Sequence, residues 1–340
     1  MDRLEEINVY LGMPEEDGDA KKMESNQGTP ICIVGLLLNN FGRDEEGNGK
    51  EETDMENSME IIKKRESIRT YDEASPVDEA ARSWLEECMK ENGVGPLGNA
   101  VRFRLLDLGK VSRDELRQLG TYGVIRGAGL YLLGAVSEGA GGMEDLGFCM
   151  ERIILEATVL GLGSCWLAGT FRRSSFARQM ELSEGELLPA ISPIGYAAAK
   201  KSVIERMMKK GAGSRWRKPW GELFFAADGK SPLAEAEAGI YRDALGAVRL
   251  GPSASNRQPW RIIKDREGRF HLYLQENRFF NRALGKVRIQ NIDMGIAMCH
   301  FSLVATAKGM PGRWVRETRT EDFPGLTHIA GWQAGNRMAN

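Results

Sequence analysis

From residue 75 onward, the hydrophobic and polar positions predict alternating helices and strands. Ser75-Pro76-Val77-Asp78 carries the signals of a helix start, with Ser75 as N-cap and proline at the first helical position. This helix is expected to run to about Glu91. The first half then continues with a strand at 101–108, a buried strand at 130–136, a long apolar helix from about 144 to 160 that stops at Gly161, and a strand at 187–198.

The second half repeats this order of elements. The pattern predicts a helix at 234–250, a loop at 252–259, strands beginning at Trp260 and at 270–274, a long helix at 287–308, a stop at Gly309, and strands near Arg313 and Ile329. Two related half-domains in one chain are therefore the first hypothesis.

A constant offset of 148 residues tests the repeat. Segments 145–166 and 293–314 then share these identical pairs: Asp145/Asp293, Gly147/Gly295, Met150/Met298, Leu155/Leu303, Ala157/Ala305, Thr158/Thr306, Gly161/Gly309 and Trp166/Trp314. Two amphipathic helices of similar composition could give part of this agreement. The glycine and the tryptophan that follow each helix match as well, which favours an internal duplication.

Residues 1–57 differ in composition from the rest of the chain. They are rich in Glu, Asp, Gly and Asn and contain one short apolar run at 31–38, a composition typical of disorder. We therefore predict a disordered N-terminal extension at 1–57, a first half at 58–228 and a second half at 229–340.

Composition argues against several classes of protein. A formal net charge of −2 gives no electrostatic basis for binding nucleic acid or an anionic membrane, and the longest apolar run is too short to span a bilayer. The five cysteines form no CxxC pair and only three histidines occur, so no metal site is expected. Unpaired thiols fit a reducing compartment, and a cytoplasmic location is expected.

Four segments carry residue types suited to binding a charged, flat ligand. Arg65-Glu66-Ser67-Ile68-Arg69 and Arg215-Trp216-Arg217-Lys218-Pro219 offer guanidinium groups, which bind phosphate with directed donors. The string Pro252-Ser253-Ala254-Ser255-Asn256-Arg257-Gln258-Pro259-Trp260 supplies short polar side chains that are both donors and acceptors. Gly161-Leu162-Gly163-Ser164-Cys165-Trp166 follows the long apolar helix. Taken alone, each segment could be interpreted without a ligand, as a solvated basic surface or an ordinary turn.

Together these segments resemble the FMN-dependent nitroreductase family, from about Met59 to the C-terminus, and most closely its branch of single chains with tandem halves. The resemblance implies an α+β nitroreductase-like fold that forms a pseudo-dimer with FMN in the seam. It assigns Arg65, Ser67, Arg69, Arg215 and Arg217 to the phosphate. It assigns Pro252, Ser253, Ala254, Ser255 and Asn256 to the ring, and a backbone N–H of Ala168 or Gly169 to the reactive flavin nitrogen.

No catalytic side chain is implied, because the cofactor carries the chemistry in this family. Cys165 and Trp166 are interpreted as a small buried thiol and a core aromatic residue. A second site is not expected. The stretch 235–242 has no Arg-x-Ser-x-Arg element, and the loop at 97–102 lacks the serines, the glutamine and the proline. We therefore expect one FMN per chain and a monomer that acts as a pseudo-dimer.

The resemblance implies ping-pong electron transfer from NAD(P)H to a small acceptor such as a nitroaromatic or a quinone. Alternatives remain at this point. Relatives of the fold dehalogenate, desaturate or break down flavin. A flavin-binding or scavenging module without turnover, and a structural protein without cofactor, are two others.

Overall fold

The computed structural model describes residues 50–202, 205, 207, 216–277, 285–316 and 322–335. Most of the predicted N-terminal extension lies outside these residues. Its last residues do not: the first helix begins at Lys50, ahead of the predicted boundary at residue 57.

Up to the end of its own sheet, the first half contains nine α-helices and β-strands within the described residues. These are α1 (Lys50–Lys64), α2 (Glu79–Glu91), β1 (Val101–Asp107), α3 (Arg113–Gln118), β2 (Leu130–Ser137), α4 (Gly142–Val159), β3 (Gly163–Ser164), α5 (Arg173–Met180) and β4 (Glu186–Gly195). The predicted strands and the long apolar helix of this half are confirmed.

The second half follows the same plan. Its sheet includes β5 (Phe224–Phe225) from the end of the first half. Its own elements include a 3₁₀ segment (Glu235–Tyr241), α6 (Arg242–Leu250), β6 (Trp260–Lys264), β7 (Phe270–Leu274), α7 (Ile289–Ala307), β8 (Gly312–Val315) and β9 (Thr327–Ala334). The long helices α4 and α7 are followed by Gly161 and Gly309, both with positive φ, as the sequence predicts.

Two sheets show the duplication directly. One has the order β1-β2-β4-β3, and the other has β5-β6-β7-β9-β8. Without β5, the second order is the first order repeated. β5 pairs in parallel with β6 and comes from the chain that leaves the first half, so this strand ties the first half to the second. The fold is α+β, with two related half-domains that form a pseudo-dimer.

The two halves meet where α4 crosses α7. A Cβ on Gly147 would lie 2.2 Å from the Ile292 carbonyl oxygen, and one on Gly295 would lie 1.9 Å from the Glu144 oxygen. Both glycines are therefore required for the helices to approach this closely. They are related by the offset of 148 residues, so the pseudo-twofold axis passes between them.

Two predicted helix starts need correction. The cap of α2 is Asp78, whose side chain accepts the Ala81 N–H at 2.8 Å, while Ser75 donates to Asp72 in a preceding turn. The helix predicted at 234–250 is interrupted, because Gly239 has φ 57° and ψ −134° between the 3₁₀ segment and α6. Both changes come from local polar or glycine geometry that hydrophobic periodicity does not report.

The core joins the halves through α4 and α7, which are buried along nearly their whole length. Cys88, Cys149, Cys165 and Cys299 are buried, and none of them forms a disulfide within the described residues. Within the described chain, every helix is too short or too polar to span a bilayer. Among the same residues, no group of three or more His, Cys, Asp or Glu side chains is placed to bind a metal ion.

Candidate functional site

The segment after α1 runs as an extended strand beside β3. Ile68 N–H donates to the Ser164 carbonyl at 2.8 Å, and Ser67 bridges Ser164 in parallel. Side chains alternate across an extended chain. Arg65, Ser67 and Arg69 therefore share one face, while Ile68 is buried on the other. The structure thus explains the Arg-x-Ser-x-Arg spacing.

The two arginines of this segment are partly buried, and some of their buried nitrogens lack hydrogen bonds. Arg65 has a side chain only 7% exposed, with its Nε 3.8 Å from Glu151 Oε1. Its Nε and Nη1, and the Nε of Arg69, are buried and donate to no acceptor in the described structure. Buried cationic donors are normally satisfied. These unused N–H groups fit an anionic ligand such as a phosphate.

Arg217 approaches the same place from the segment that leaves the first half. Its Nη2 donates to the Leu250 carbonyl at 3.0 Å. The pKa of Arg217 is lowered, first by burial and then by the positive charges of Arg65 and Arg249. Arg65 and Arg217, which are far apart in sequence, are therefore electrostatic neighbours. Arg215, the other predicted phosphate ligand of this segment, lies outside the described residues.

The loop at 252–259 is hydrogen-bonded to the Arg217 segment. Asn256 Nδ2 donates to the Trp216 carbonyl at 2.9 Å, and Asn256 Oδ1 accepts from Arg217 Nη1 at 3.4 Å. Lys218 N–H donates to Gln258 Oε1 at 2.9 Å. The structure therefore places the loop of the second half against the basic element of the first, as the fused-dimer hypothesis requires.

This loop holds backbone conformations that few side chains adopt. Ser255, Asn256 and Gln258 have φ values of 48°, 54° and 50°. Each costs free energy, and such strain gathers at ligand sites. Gln258 N–H donates to Ser253 Oγ at 2.9 Å, which closes the turn. Pro252 is half-buried at its start.

Equivalent aspartates anchor the loops of the two halves. Asp293 accepts the Ala254 N–H at 3.0 Å, and its burial raises its pKa well above the ordinary value. Asp145 accepts the N–H groups of Leu97 and Asn99 at 2.8 and 2.9 Å, and the Asn99 side chain at 2.8 Å. In the first half the asparagine side chain is thus turned inward. Asn256 instead contacts Arg217, which together with Arg65 and Arg69 is called the arginine cluster below.

Ala168 and Gly169 lie just beyond Leu167, which pairs with Ile191 of β4. Ala168 is half-buried and Gly169 is exposed. Their N–H groups donate to no acceptor in the described part of the chain, which keeps both available to a ligand. No hydrogen bond between described residues joins them to the loop at 252–259.

Glu151 links these parts and was missed by the sequence analysis. This fully buried carboxylate of α4 accepts from Trp166 Nε1 at 2.6 Å and lies 2.9 Å from His300 Nε2 of α7. The other ring nitrogen of His300 faces the Ala247 carbonyl at 3.1 Å. A glutamate inside an apolar helix was the available signal, since such residues are rarely buried without partners.

Glu151 therefore lies next to Arg65 and Trp166, and it contacts the second half through His300. Trp166 is two residues before Ala168. Trp166 is a hydrogen-bonded, partly buried aromatic residue, in agreement with its predicted structural role. Burial raises the pKa of the Cys165 thiol, although Arg69 and Arg65 act in the opposite direction. A thiol whose pKa is raised is a poor nucleophile, which also agrees with the sequence interpretation.

Comparisons with known proteins agree with this architecture. A crystal structure described as a "putative nitroreductase" from Thermotoga maritima MSB8 is similar over 86% of this chain and 98% of its own, with 17% identity and a TM-score of 0.52. An "FMN-dependent Nitroreductase" from Clostridium difficile R20291 covers 42% of this chain and 88% of its own, with 19% identity and a TM-score of 0.33.

The Thermotoga maritima structure spans both halves, and at its level of identity it bears on the fold alone. No curated protein matches the chain. A family model described as "Putative TM nitroreductase" matches residues 57–305, which include α4, the loop at 252–259 and most of α7. The chain belongs to this nitroreductase family.

Proposed function

We propose that this chain is an FMN-dependent oxidoreductase that passes electrons from NAD(P)H to a small acceptor, such as a nitroaromatic or a quinone, by a ping-pong mechanism. One FMN binds per chain, in the seam between a first half at 58–228 and a second half at 229–340, and the monomer acts as a pseudo-dimer. The observation that carries the proposal is the group of partly buried arginines at Arg65 and Arg69, beside Arg217, whose buried nitrogens include unused donors.

The arginines are suited to hold the phosphate of the cofactor. Guanidinium groups bind phosphate through charge-assisted hydrogen bonds, which are stronger than neutral ones. The half-buried Ser67 adds a hydroxyl on the same face of the strand. Because the positive charge of Arg65 contributes to lowering the pKa of Arg217, a bound dianion would relieve the repulsion between them.

The loop at 252–259 is suited to the flavin ring. The proposal assigns to this ring the surface formed by Pro252, Ser253, Ala254, Ser255 and Asn256. The free N–H groups of Ala168 and Gly169 are assigned to its reactive edge, where a donor tunes the electronics of a flavin.

When bound, FMN supplies the capacity to accept a hydride and to return electrons to a second substrate. The protein's own residues bind and orient, and we assign no catalytic side chain. Glu151 orients the indole of Trp166 and neutralises part of the charge on Arg65. This arrangement fixes the segment leading to Ala168 relative to the arginine cluster.

The first experiment is an absorbance spectrum of the purified chain after FMN addition and desalting. We expect flavin bands at about one FMN per chain, and rapid bleaching when NAD(P)H is added without oxygen. A ratio near two would show that the loop at 97–102 also takes part in binding flavin, and it would contradict the one-site assignment. Bound flavin that NAD(P)H does not reduce would point to a binding module. The absence of retained flavin would contradict the proposal.

A further inference from the structure

A large cavity lies on the side of the 252–259 loop where Ser255 and Arg257 are exposed. Its volume is about 730 Å³, and Trp216, Lys218, Asn256 and Arg261 lie in its wall. Asn256 also contacts Arg217. The cavity therefore shares Ser255 and Asn256 with the surface assigned to the flavin ring and adjoins the arginine cluster through Asn256. Its own cationic residues differ from those assigned to the cofactor phosphate.

Positive charge dominates the described lining of this cavity. Lys218, Arg257 and Arg261 carry cationic groups, against the single carboxylate of Glu276. The pKa of Lys218 is lowered, first by burial and then by the positive charge of Arg261. Burial likewise lowers the pKa of Arg261 to about 10. The cations are thus held close together in a poorly hydrated place, an arrangement that an anion would stabilise.

Arg261 is the strongest sign of a ligand. Only 6% of this residue is exposed. Its guanidinium donates to the carbonyls of Gln258 and Trp260 and to the Gln275 side chain, all of them neutral. In the described structure no carboxylate lies within ion-pair distance of it, although the more distant Glu222 attracts its charge. Buried charges are normally paired, so a buried cation whose hydrogen-bond partners are all neutral, at the wall of an open cavity, fits an anionic ligand.

An aromatic surface stands beside these cations. Trp216 is 55% exposed, although tryptophan is usually largely buried. Its backbone is fixed, because its carbonyl accepts from Asn256. An exposed indole next to lysine and arginine can stack on a flat ring while the cations hold an attached anionic group.

We propose that this cavity is a second ligand site, which binds flat aromatic molecules carrying a phosphate or carboxylate group. The role of the ligand rests on the proposed function. It is either the nucleotide end of the electron donor or an acceptor with an anionic substituent. Both ligands have a flat ring that can stack on Trp216 and an anionic group that can bind Lys218 and Arg261.

Binding of ADP and of 4-nitrobenzoate to the full chain tests the proposal by calorimetry, with and without FMN. Wild type should bind at least one of the two probes at one molecule per chain. Lys218→Met should weaken that binding about tenfold or more, the scale of one lost charge-assisted contact. Trp216→Leu should weaken binding of the aromatic probe but leave inorganic pyrophosphate unaffected. Lys230→Met, on an exposed turn away from the cavity, is the matched charge control.

The outcomes separate this proposal from the flavin assignment. Binding of ADP alone identifies the nucleotide source, and binding of 4-nitrobenzoate alone identifies the acceptor. Either supports the site, including when flavin is absent and the proposed function has failed. The proposal is overturned if neither probe binds, or if Lys218→Met binds as wild type does. A parallel loss of FMN in Lys218→Met would also overturn it, since the cavity would then be part of the flavin site.

Discussion

Replacing Glu151 by glutamine tests whether this carboxylate neutralises the arginine cluster. The side chain is fully buried, and its Oε1 lies 3.8 Å from Arg65 Nε. Two unit charges at that separation attract by about 4 kcal/mol at an effective dielectric constant of about 20. Glutamine keeps the shape and can still accept from Trp166. However, it leaves Arg65 and His300 without a buried carboxylate.

We expect Glu151→Gln to lower the free energy of unfolding by about 3 kcal/mol in the absence of flavin, because breaking a buried pair strands its partner. The measurement is urea unfolding followed by circular dichroism. With saturating FMN the loss should be smaller, since the phosphate supplies a new negative charge next to Arg65. This difference between the two conditions reports electrostatics rather than packing.

A matched control exists on the same helix. Glu156 is also fully buried and accepts from the Trp84 indole at 3.1 Å, but it is not an ion-pair partner of Arg65. Glu156→Gln should therefore change stability equally with and without FMN. If Glu151→Gln behaved in the same way, or cost less than about 0.5 kcal/mol, Glu151 would not be the counter-charge of the cluster.

Four further outcomes are expected. Arg69→Ala should weaken FMN binding by about 1.5–3 kcal/mol in a fluorescence titration, by removing a charge-assisted contact. Asn99→Ala, in the first-half loop, should leave flavin content unaltered in the absorbance assay. Gly295→Ala should lower stability by about 3 kcal/mol in urea unfolding because its Cβ meets backbone, while Gly246→Ala, with open space around it, should be neutral or slightly stabilising. His328 is neutral down to a folded pKa of about 4, lowered from 6.5 by burial and a neighbouring histidine. The unfolded chain takes up this proton first, so stability should fall from pH 6.5 to 4, by about 1–2 kcal/mol after solvent screening of this partly exposed group is allowed for. His328→Gln should flatten that part of the curve.

The sequence predicts the features that depend on local pattern. The long helices and their glycine stops follow from apolar periodicity and from the need for positive φ at Gly161 and Gly309. The position of the loop at 252–259 beside Arg217 follows from the resemblance to the nitroreductase family together with the duplication, because in that family one half of the dimer completes the site of the other. These contacts are now visible as hydrogen bonds to Asn256 and Gln258.

Other features depend on contacts between distant segments and leave little trace in a single sequence. The α2 cap moves from Ser75 to Asp78 because the serine hydroxyl finds a partner in the preceding turn. The pairing of Glu151 with His300 joins residues 149 positions apart. An isolated glutamate in an apolar helix signals an unusual position, but it does not identify its partner.

The same buried pair explains why the two halves are not equivalent. Under the offset of 148 residues, Glu151 corresponds to Cys299, and His300 corresponds to Arg152. The Glu151–His300 contact can therefore form on only one side of the pseudo-twofold axis, the side on which Arg65 lies. On the other side, the Asn99 side chain donates to Asp145, so the matching loop does not present this amide as Asn256 does. Divergence has thus changed both a long helix and a loop on one side of the axis. It has kept Gly147 and Gly295, where α4 and α7 cross and the halves meet.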